Sequence, residues 1–240
     1  MPFVDTHLHL EELDDPEAAV AEAVAAGVTR MIAMGTDLAT SRGAIGFAER
    51  LPAVYAAAGH HALNSTDPDL AAFRELLSRP RVVAVGEVGL DGSPDPEYPQ
   101  LERQLGWFGS MCDLALEAGL PVCVHVRQSE ELVYRALKAR PGLTGVMHYF
   151  ALDQGWAERF LALGFHLSFA GLVTRATRGE LREVARRCPA DRLLLETDSP
   201  FGPAFLVDTA RVVAELRGTS LEQLAELETR NATALFARLR

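Results

Sequence analysis

Cysteine and long apolar runs are scarce in this chain of 240 residues. Its three cysteines, Cys112, Cys123 and Cys188, form no C-x-x-C pair and are too few for a disulfide framework, which is typical of a protein from a reducing compartment. No apolar run approaches the roughly 20 residues that span a bilayer, and a candidate functional residue as early as His7 leaves no room for a cleaved signal peptide. We therefore expect a cytoplasmic protein that does not enter a membrane.

Positive charge is also in short supply, because the net charge is −10 at pH 7 and Lys138 is the only lysine. A broad nucleic-acid-binding face usually shows as a basic stripe, so the composition argues against an extended DNA-binding surface. A small anionic substrate or a short nucleic-acid end is compatible, since a few arginines can bind phosphate with a planar fork. A codon or stability bias is the better explanation of why arginine replaces lysine, and nothing indicates a required protein partner.

Nothing in the sequence divides the chain into parts. There is no Gly/Ser linker, low-complexity tract or charge block, and the 48% hydrophobic content is enough for a full core, so we expect a single domain over residues 1–240. Within it, eight short apolar segments alternate with segments of helical apolar spacing. The predicted strands are residues 3–8, 30–35, 54–59, 82–88, 121–126, 144–149, 165–170 and 193–198.

Helix-like patterns fill the intervals between these strands. Asp15-Pro16 is a typical helix start, and Gly27 and Gly119 stand where helices should stop. The predicted helices are residues 16–26, 39–51, 68–78, 130–139, 154–163 and 178–187, with a longer one that ends at 118.

Eight alternations of strand and helix imply parallel strands joined by crossover helices, and so predict an α/β fold of the (β/α)8 TIM barrel type. A doubly wound open sheet is the alternative. The barrel is favoured because the candidate functional residues come from the first, fourth, fifth, sixth and eighth strands, and only a closed sheet brings the first and the eighth together. The tail, residues 220–238, is predicted to add one or two C-terminal helices that cover a flank of the barrel.

Six potential metal ligands end these apolar runs. Taken singly, a histidine on an apolar strand is usually a core residue, and a carboxylate can belong to a salt bridge. The His-x-His pair is more informative, because residues two apart on a strand point to the same side and two buried imidazoles need compensation. The same pattern at five separate strand ends favours one shared metal site. The candidate ligands are His7, His9, Glu87, His125, His148 and Asp198.

The motifs VDTHLHL, GEVGLD, VHVR, MHYF and ETDSP, in this order, resemble those of the TatD-like metal-dependent hydrolases, a branch of the amidohydrolase superfamily of barrels. The resemblance runs from residue 4 to about residue 236. It implies two divalent metal ions, with zinc, manganese, magnesium, iron and nickel all compatible. The implied ligands are His7, His9 and Asp198 for one ion, His125 and His148 for the other, and Glu87 as a bridge.

The resemblance implies metal-dependent phosphodiester hydrolysis, as by a TatD-like deoxyribonuclease. Two ions roughly 3.5–4 Å apart activate a shared water and stabilise the attacking and leaving oxygens. Asp198 is placed to bind an ion and to accept a proton from that water, so Asp198 is the expected general base and Glu87 the other catalytic residue. The alternatives are hydrolysis of a small amide, ester or lactone at the same metals, and a metal-binding protein without useful turnover.

Four neighbouring residues are expected to support the site. Glu196 in ETDSP either orients a ligand histidine or pairs with a neighbouring strand, and Asp91 is a similar case. Arg127 is the expected phosphate contact, unless it pairs with a local acid. Of the pair that follows the third strand, His60 is the expected substrate contact, and an exposed loop pair of His60 and His61 is the alternative.

Departures from the family's pattern concern the substrate more than the metals. Relatives typically have His-Pro at His60-His61, Arg-Asp at Arg127-Gln128 and a Cys-Phe-Ser-Gly-like stretch at residues 149–152. The segment that lines the cleft after ETDSP is also short here.

The short passage from Pro200 to Phe205 should limit the grip on a nucleic-acid backbone. Arg127, with Arg175 or Arg178, would then provide the main phosphate contacts. We therefore expect weak, salt-sensitive nuclease activity that is biased to ends or short single strands.

Overall fold

The computed structural model describes residues 2–198 and 202–239. Its centre is one sheet of eight parallel strands, in which strands consecutive in the chain are neighbours in the sheet. The strands are β1 (Phe3–Leu8), β2 (Val28–Ala33), β3 (Val54–Ala58), β4 (Val82–Asp91), β5 (Val122–Arg127), β6 (Gly145–Met147), β7 (His166–Phe169) and β8 (Leu193–Leu195).

A helix follows each strand, and one more helix ends the chain. Among the described residues, none of these helices is long and apolar enough to cross a membrane. The helices are α1 (Pro16–Ala26), α2 (Leu38–Arg50), α3 (Leu70–Leu77), α4 (Leu101–Ala118), α5 (Glu130–Lys138), α6 (Gln154–Ala162), α7 (Gly179–Arg187), α8 (Leu206–Arg217) and α9 (Leu221–Leu235).

The predicted (β/α)8 barrel is confirmed, but β6 and β8 have only three residues each where the sequence pattern suggested six. Strand β6 ends at Met147 and β8 at Leu195, so His148 and Asp198 lie on loops just beyond their strands. The last residue of each of these two predicted strands has a positive φ angle, 44° at Tyr149 and 50° at Asp198. Such angles belong to the left-handed region, which a strand cannot continue through.

The first and last strands meet at a seam of individual hydrogen bonds. The backbone N–H of Asp198 donates to the carbonyl of His7 over 2.9 Å. The backbone N–H of Thr197 donates to the buried carboxylate of Asp5 over 3.0 Å. Because these bonds join β1 to the loop after β8, they bring the His-x-His motif and Asp198 side by side, as barrel closure requires.

The C-terminal helix covers a flank of the barrel only with its first part, where Leu224 and Ala225 join the apolar cluster of the other helices and the strands. The buried Ala232, Phe236 and Leu239 belong to the same apolar cluster as Val4 of β1 and Leu194 of β8. The barrel members of this cluster include small side chains such as alanine, which leave space for the fully buried ring of Phe236. Helix α9 and the residues after it therefore close the amino-terminal end of the barrel, opposite the carboxyl ends of the strands.

Candidate metal centre

Four side chains surround one small space, and they come from β1, from the residue just after it, from β4 and from the loop after β8. The Nε2 atom of His7 lies 3.3 Å from Nε2 of His9, 3.5 Å from Oε2 of Glu87 and 3.5 Å from Oδ1 of Asp198. The Nε2 atom of His9 lies 3.5 Å and 3.7 Å from the same two oxygens. A tetrahedral ion with bonds of about 2.0–2.2 Å holds its ligand atoms about 3.3–3.6 Å apart, so these four atoms have the spacing of a metal site.

The other oxygen of Glu87 faces a second group of histidines. Its Oε1 atom lies 3.0 Å from Nε2 of His148, 3.1 Å from Nδ1 of His125 and 3.2 Å from Nε2 of His61. These are hydrogen-bond lengths, and an ion at this position would widen them slightly. One carboxylate thus presents one oxygen to each group, which is the geometry of a bridging ligand.

Two histidines of the second group, His125 and His148, have a carboxylate on their other ring nitrogen. The Nε2 atom of His125 lies 3.1 Å from Oδ2 of Asp91 in a hydrogen bond, and Nδ1 of His148 lies at the ion-pair distance of 3.3 Å from Oε1 of Glu196. Metal-binding histidines usually have such a partner on the ring nitrogen that faces away from the ion, because it fixes the tautomer and the ring orientation. The nitrogen and oxygen atoms that face the two spaces therefore fit divalent ions, and so do the carboxylates that support the histidines from behind.

The backbone around Glu87 explains the second glycine of GEVGLD. The N–H of Glu87 donates to the carbonyl of Gly35 over 2.8 Å, which fixes the start of the motif. Gly89 pairs with His125 across β4 and β5 and has a φ angle of +152°. A Cβ atom on Gly89 would lie 2.0 Å from the carbonyl oxygen of His125. Only glycine lets the two strands come close enough to bring Glu87 and His125 together.

The charges of this buried cluster are strongly coupled. Burial opposes ionisation of Glu87, but the positive potential of His61 and His148 outweighs it and holds the pKa of Glu87 well below its ordinary value. Burial raises the pKa of Asp198 to about 7, against the effect of His148. Uncompensated ionised groups are unfavourable in a low-dielectric interior, so divalent cations would balance the carboxylates gathered here.

Comparison with known proteins identifies the family. A sequence profile described as TatD related DNase matches residues 4–237. The uncharacterized metal-dependent hydrolase YabD of Bacillus subtilis (strain 168) is 35% identical to this chain, over 97% of this chain and 98% of YabD. A TatD of Erwinia amylovora that is named a 3′-5′ ssDNA/RNA exonuclease is 35% identical, over 92% of this chain and 93% of its own length. The chain belongs to the TatD family of metal-dependent hydrolases.

A solved structure agrees with this assignment. The crystal structure of YjjV, a TatD homologue from Escherichia coli K12, superposes on this TatD-family chain with a TM-score of 0.89 and 31% sequence identity, over 98% of each chain. The fold, the family and the hydrolase class that the motifs implied are thereby confirmed. The individual ligand and catalytic roles stay predictions, although all six predicted ligands converge on the two groups described above.

In this TatD-family hydrolase, His60 and His61 point in different directions. The ring of His60 is buried against Trp107 and Phe73, with centroids 5.0 Å and 6.2 Å away, and burial lowers its pKa. His61 instead contacts Glu87 and lies edge-on to the ring of His125, 4.7 Å between centroids. Substrate contact by His60 stays a prediction. His61 is the member of the pair that the fold brings to the metal centre, and no sequence signal separates two adjacent loop histidines.

A cleft of about 820 Å³ opens on the second group of histidines, and its lining includes Glu87, His125, His148 and Asp198. Three exposed arginines, Arg127, Arg175 and Arg178, share this lining. The expected phosphate contact Arg127 therefore lies at the cleft. Within residues 2–198 and 202–239, none of the three guanidinium groups forms an ion pair with a carboxylate.

Part of the predicted short passage after Asp198 lies outside the described residues, namely residues 199–201. In the described part that follows, a short turn at Pro203–Phe205 leads directly into α8.

Proposed function

We propose that this hydrolase is a two-metal phosphodiesterase that acts on the ends of short single-stranded nucleic acids. The observation that carries the proposal is the orientation of Glu87, with one oxygen towards each ligand group. The cleft beside it is lined by three arginines that form no ion pair with a carboxylate of residues 2–198 or 202–239. The exonuclease name of the Erwinia amylovora relative supports the same substrate class.

The inner side chains would divide between two divalent ions. When bound, the ions would supply an activated water and balance the negative charge that develops on the phosphate oxygens. Nitrogen and oxygen donors suit zinc, manganese, iron and nickel, and magnesium where oxygen predominates. One ion would be held by His7, His9, Asp198 and Oε2 of Glu87, and the other by His125, His148 and Oε1 of Glu87.

Asp198 is the carboxylate best placed to move a proton. Its side chain is 24% exposed whereas that of Glu87 is 6% exposed, so Asp198 is reachable from the cleft and Glu87 is committed to the ligand groups. Its Oδ1 atom faces His7 and His9, and its Oδ2 atom would take the proton from the attacking water. The leaving oxygen would draw its proton from solvent at the mouth of the cleft.

Two buried carboxylates keep the ligand rings in place. Asp91 would hold the ring of His125 and Glu196 that of His148, each through the nitrogen that faces away from Glu87. Asp91→Asn or Glu196→Gln would remove the negative charge next to the histidine ring, but the ligand nitrogen of that histidine would remain. We assign both residues positioning roles on this ground.

The arginines account for an anionic substrate despite the net charge of −10. Most surface arginines of this chain pair with neighbouring acids, as Arg74 does with Glu117 over 2.9 Å. Arg127, Arg175 and Arg178 have no such carboxylate partner in the described part of the chain, so they can bind phosphate oxygens without breaking an ion pair. The acidic remainder of the surface opposes a long polyanion, which favours ends and short strands.

The test is a substrate panel on protein loaded with manganese or zinc. End-labelled single-stranded DNA and RNA and bis(p-nitrophenyl) phosphate should be cleaved, and a chelator should abolish the cleavage. Chromogenic esters and lactones test the competing amide, ester or lactone class. Turnover of esters or lactones without phosphodiester cleavage would overturn the proposal.

The arginine contribution is tested by one pair of variants. Arg127→Ala should raise KM and make the slope of log(kcat/KM) against log salt shallower by about one. Arg74→Ala, which removes a guanidinium outside the cleft, is the matched control and should change neither. Equal salt slopes for both variants would show that Arg127 makes no phosphate contact.

A further inference from the structure

One exposed aromatic ring stands inside the cleft. Tyr149 is 39% exposed, although the residues on either side, His148 and Phe150, are buried. Two other large apolar side chains in the described residues are exposed to a similar degree, Val24 and Leu116, and these lie on α1 and α4 outside the cleft. Tyr149 is the one of these three that lines the cavity of the metal centre.

The position of Tyr149 is set by the same buried carboxylate that supports His148. Its backbone N–H donates a hydrogen bond to Oε1 of Glu196, and its φ angle of 44° lies in the left-handed region, which is uncommon for bulky residues. The ring lies 6.3 Å from that of His148, inclined by 56°. A backbone held in this way presents the ring at a fixed distance from the second ligand group.

The surroundings of the ring combine apolar surface with positive charge. Val126, Leu152 and Leu172 line the same cleft. The three cleft arginines line it as well. The cleft thus offers guanidinium groups that can bind an anionic part of a ligand and a flat aromatic ring that can pack against an apolar part. A ligand that satisfies both carries a phosphate and a planar ring, as a nucleotide does.

We infer that Tyr149 is a specificity-determining residue on which the base of the terminal nucleotide stacks while the arginines hold the phosphate. This inference rests on the proposed function and adds to it a requirement for a base at the end of the strand. Stacking does not read hydrogen-bonding edges, so the presence of a base matters and its identity matters little.

The experiment compares two end-labelled single-stranded oligonucleotides of equal length, one with an ordinary terminal nucleotide and one with an abasic tetrahydrofuran terminus. Both carry the same phosphates. The wild-type protein should prefer the base-bearing end in kcat/KM by about 5- to 150-fold, mainly through KM, which is the range expected for one stacked base. Tyr149→Asn, whose new side chain tolerates left-handed backbone, should reduce this preference to near one, and Tyr149→Phe should retain it.

Leu116→Ala is the matched control, because Leu116 is a large apolar residue of similar exposure, 40%, outside the cleft. It should leave the preference unchanged. Metal content measured on every variant shows that the centre is intact.

The outcomes separate two failures. If the wild-type protein cleaves neither oligonucleotide, the proposed function fails. If it cleaves both but Tyr149→Asn keeps the preference, or if Tyr149→Phe loses kcat on both ends, the stacking role is refuted, and in the second case the hydroxyl rather than the ring is what matters.

Discussion

Gly89→Ala tests how closely the metal centre depends on the approach of two strands. Gly89 lies two residues after Glu87 and pairs with His125, the residue that carries a ligand nitrogen. An added methyl group would lie 2.0 Å from the carbonyl oxygen of His125, 2.7 Å from its carbonyl carbon and 2.9 Å from its nitrogen. All three neighbours are backbone atoms, so no side chain can turn aside to make room.

The magnitude follows from two separate penalties. A non-glycine residue at a φ angle of +152° is strained by about 1–3 kcal/mol. Relieving the overlap means parting β4 from β5, which resembles overpacking of a core and costs about 1–3 kcal/mol. We expect a loss of about 2–6 kcal/mol in the free energy of unfolding, together with a longer separation between Glu87 and His125, now 3.1 Å.

The assay combines urea unfolding with metal titration. Gly89→Ala should lower the unfolding midpoint and weaken binding of the ion proposed at His125 and His148 by at least about 10-fold, the lower limit for displaced ligand supports. Gly106→Ala is the control, because Gly106 lies inside α4 with nothing within 4 Å of the added Cβ, and it should stabilise by about 0.5–1 kcal/mol. If Gly89→Ala keeps the stability and the metal affinity of the wild-type protein, the close approach of β4 and β5 is not what positions Glu87 and His125.

Three further substitutions test the centre and the helix that closes the barrel. Glu87→Gln should reduce affinity for both ions more than the roughly 10- to 100-fold loss typical of residues outside the ligand set, and metal analysis that finds two tightly bound ions would contradict the bridging role. Asp198→Asn keeps one ligand oxygen, so we expect partial metal retention with hydrolysis nearly abolished; an active variant would show that the base is another residue. Burial, with the charge of Asp5, raises the pKa of Glu228 well above its ordinary value, against the hydrogen bond from Val4. A raised carboxyl pKa gives stability that is complete below the unfolded value of about 4.3 and lost as pH rises towards the folded pKa. Glu228→Gln should therefore lose less stability than the wild-type protein between pH 5 and pH 8 in urea unfolding, whereas Glu226→Gln on the exposed face of α9 should follow the wild-type curve.

The architecture was predictable because its signals are local. Apolar runs and helical spacing set the order of strands and helices, and that order leaves few ways to arrange a parallel sheet. Several predicted bounds agree closely with the structure, as for β1 and α1. The ends of β6 and β8 were predicted too late, because positive φ angles at Tyr149 and Asp198 depend on the contacts of the folded loops.

The six candidate ligands could be predicted from their residue types at the ends of apolar runs. The direction in which a loop side chain points could not be predicted from the sequence. His60 and His61 are adjacent and chemically identical, so their assignment depends on which ring fits against Trp107 and which faces Glu87. The same reasoning applies to Tyr149. Its exposure follows from a backbone conformation that Glu196 stabilises from 47 positions away in the chain, and single-sequence patterns do not contain that information.

The closing helix shows how a distant element can support the ligands. The carboxylate of Glu228 accepts a hydrogen bond from the N–H of Val4 over 3.0 Å, near the beginning of β1. At the other end of the same strand, the carbonyl of His7 accepts the N–H of Asp198. Strand β1 is therefore hydrogen-bonded to a side chain near its beginning and to a backbone N–H near its end, and both partners are far away in sequence. His7 lies at the end of this strand and His9 directly after it. The docking of α9 into the barrel therefore bears directly on the geometry of the ligands proposed for the first ion.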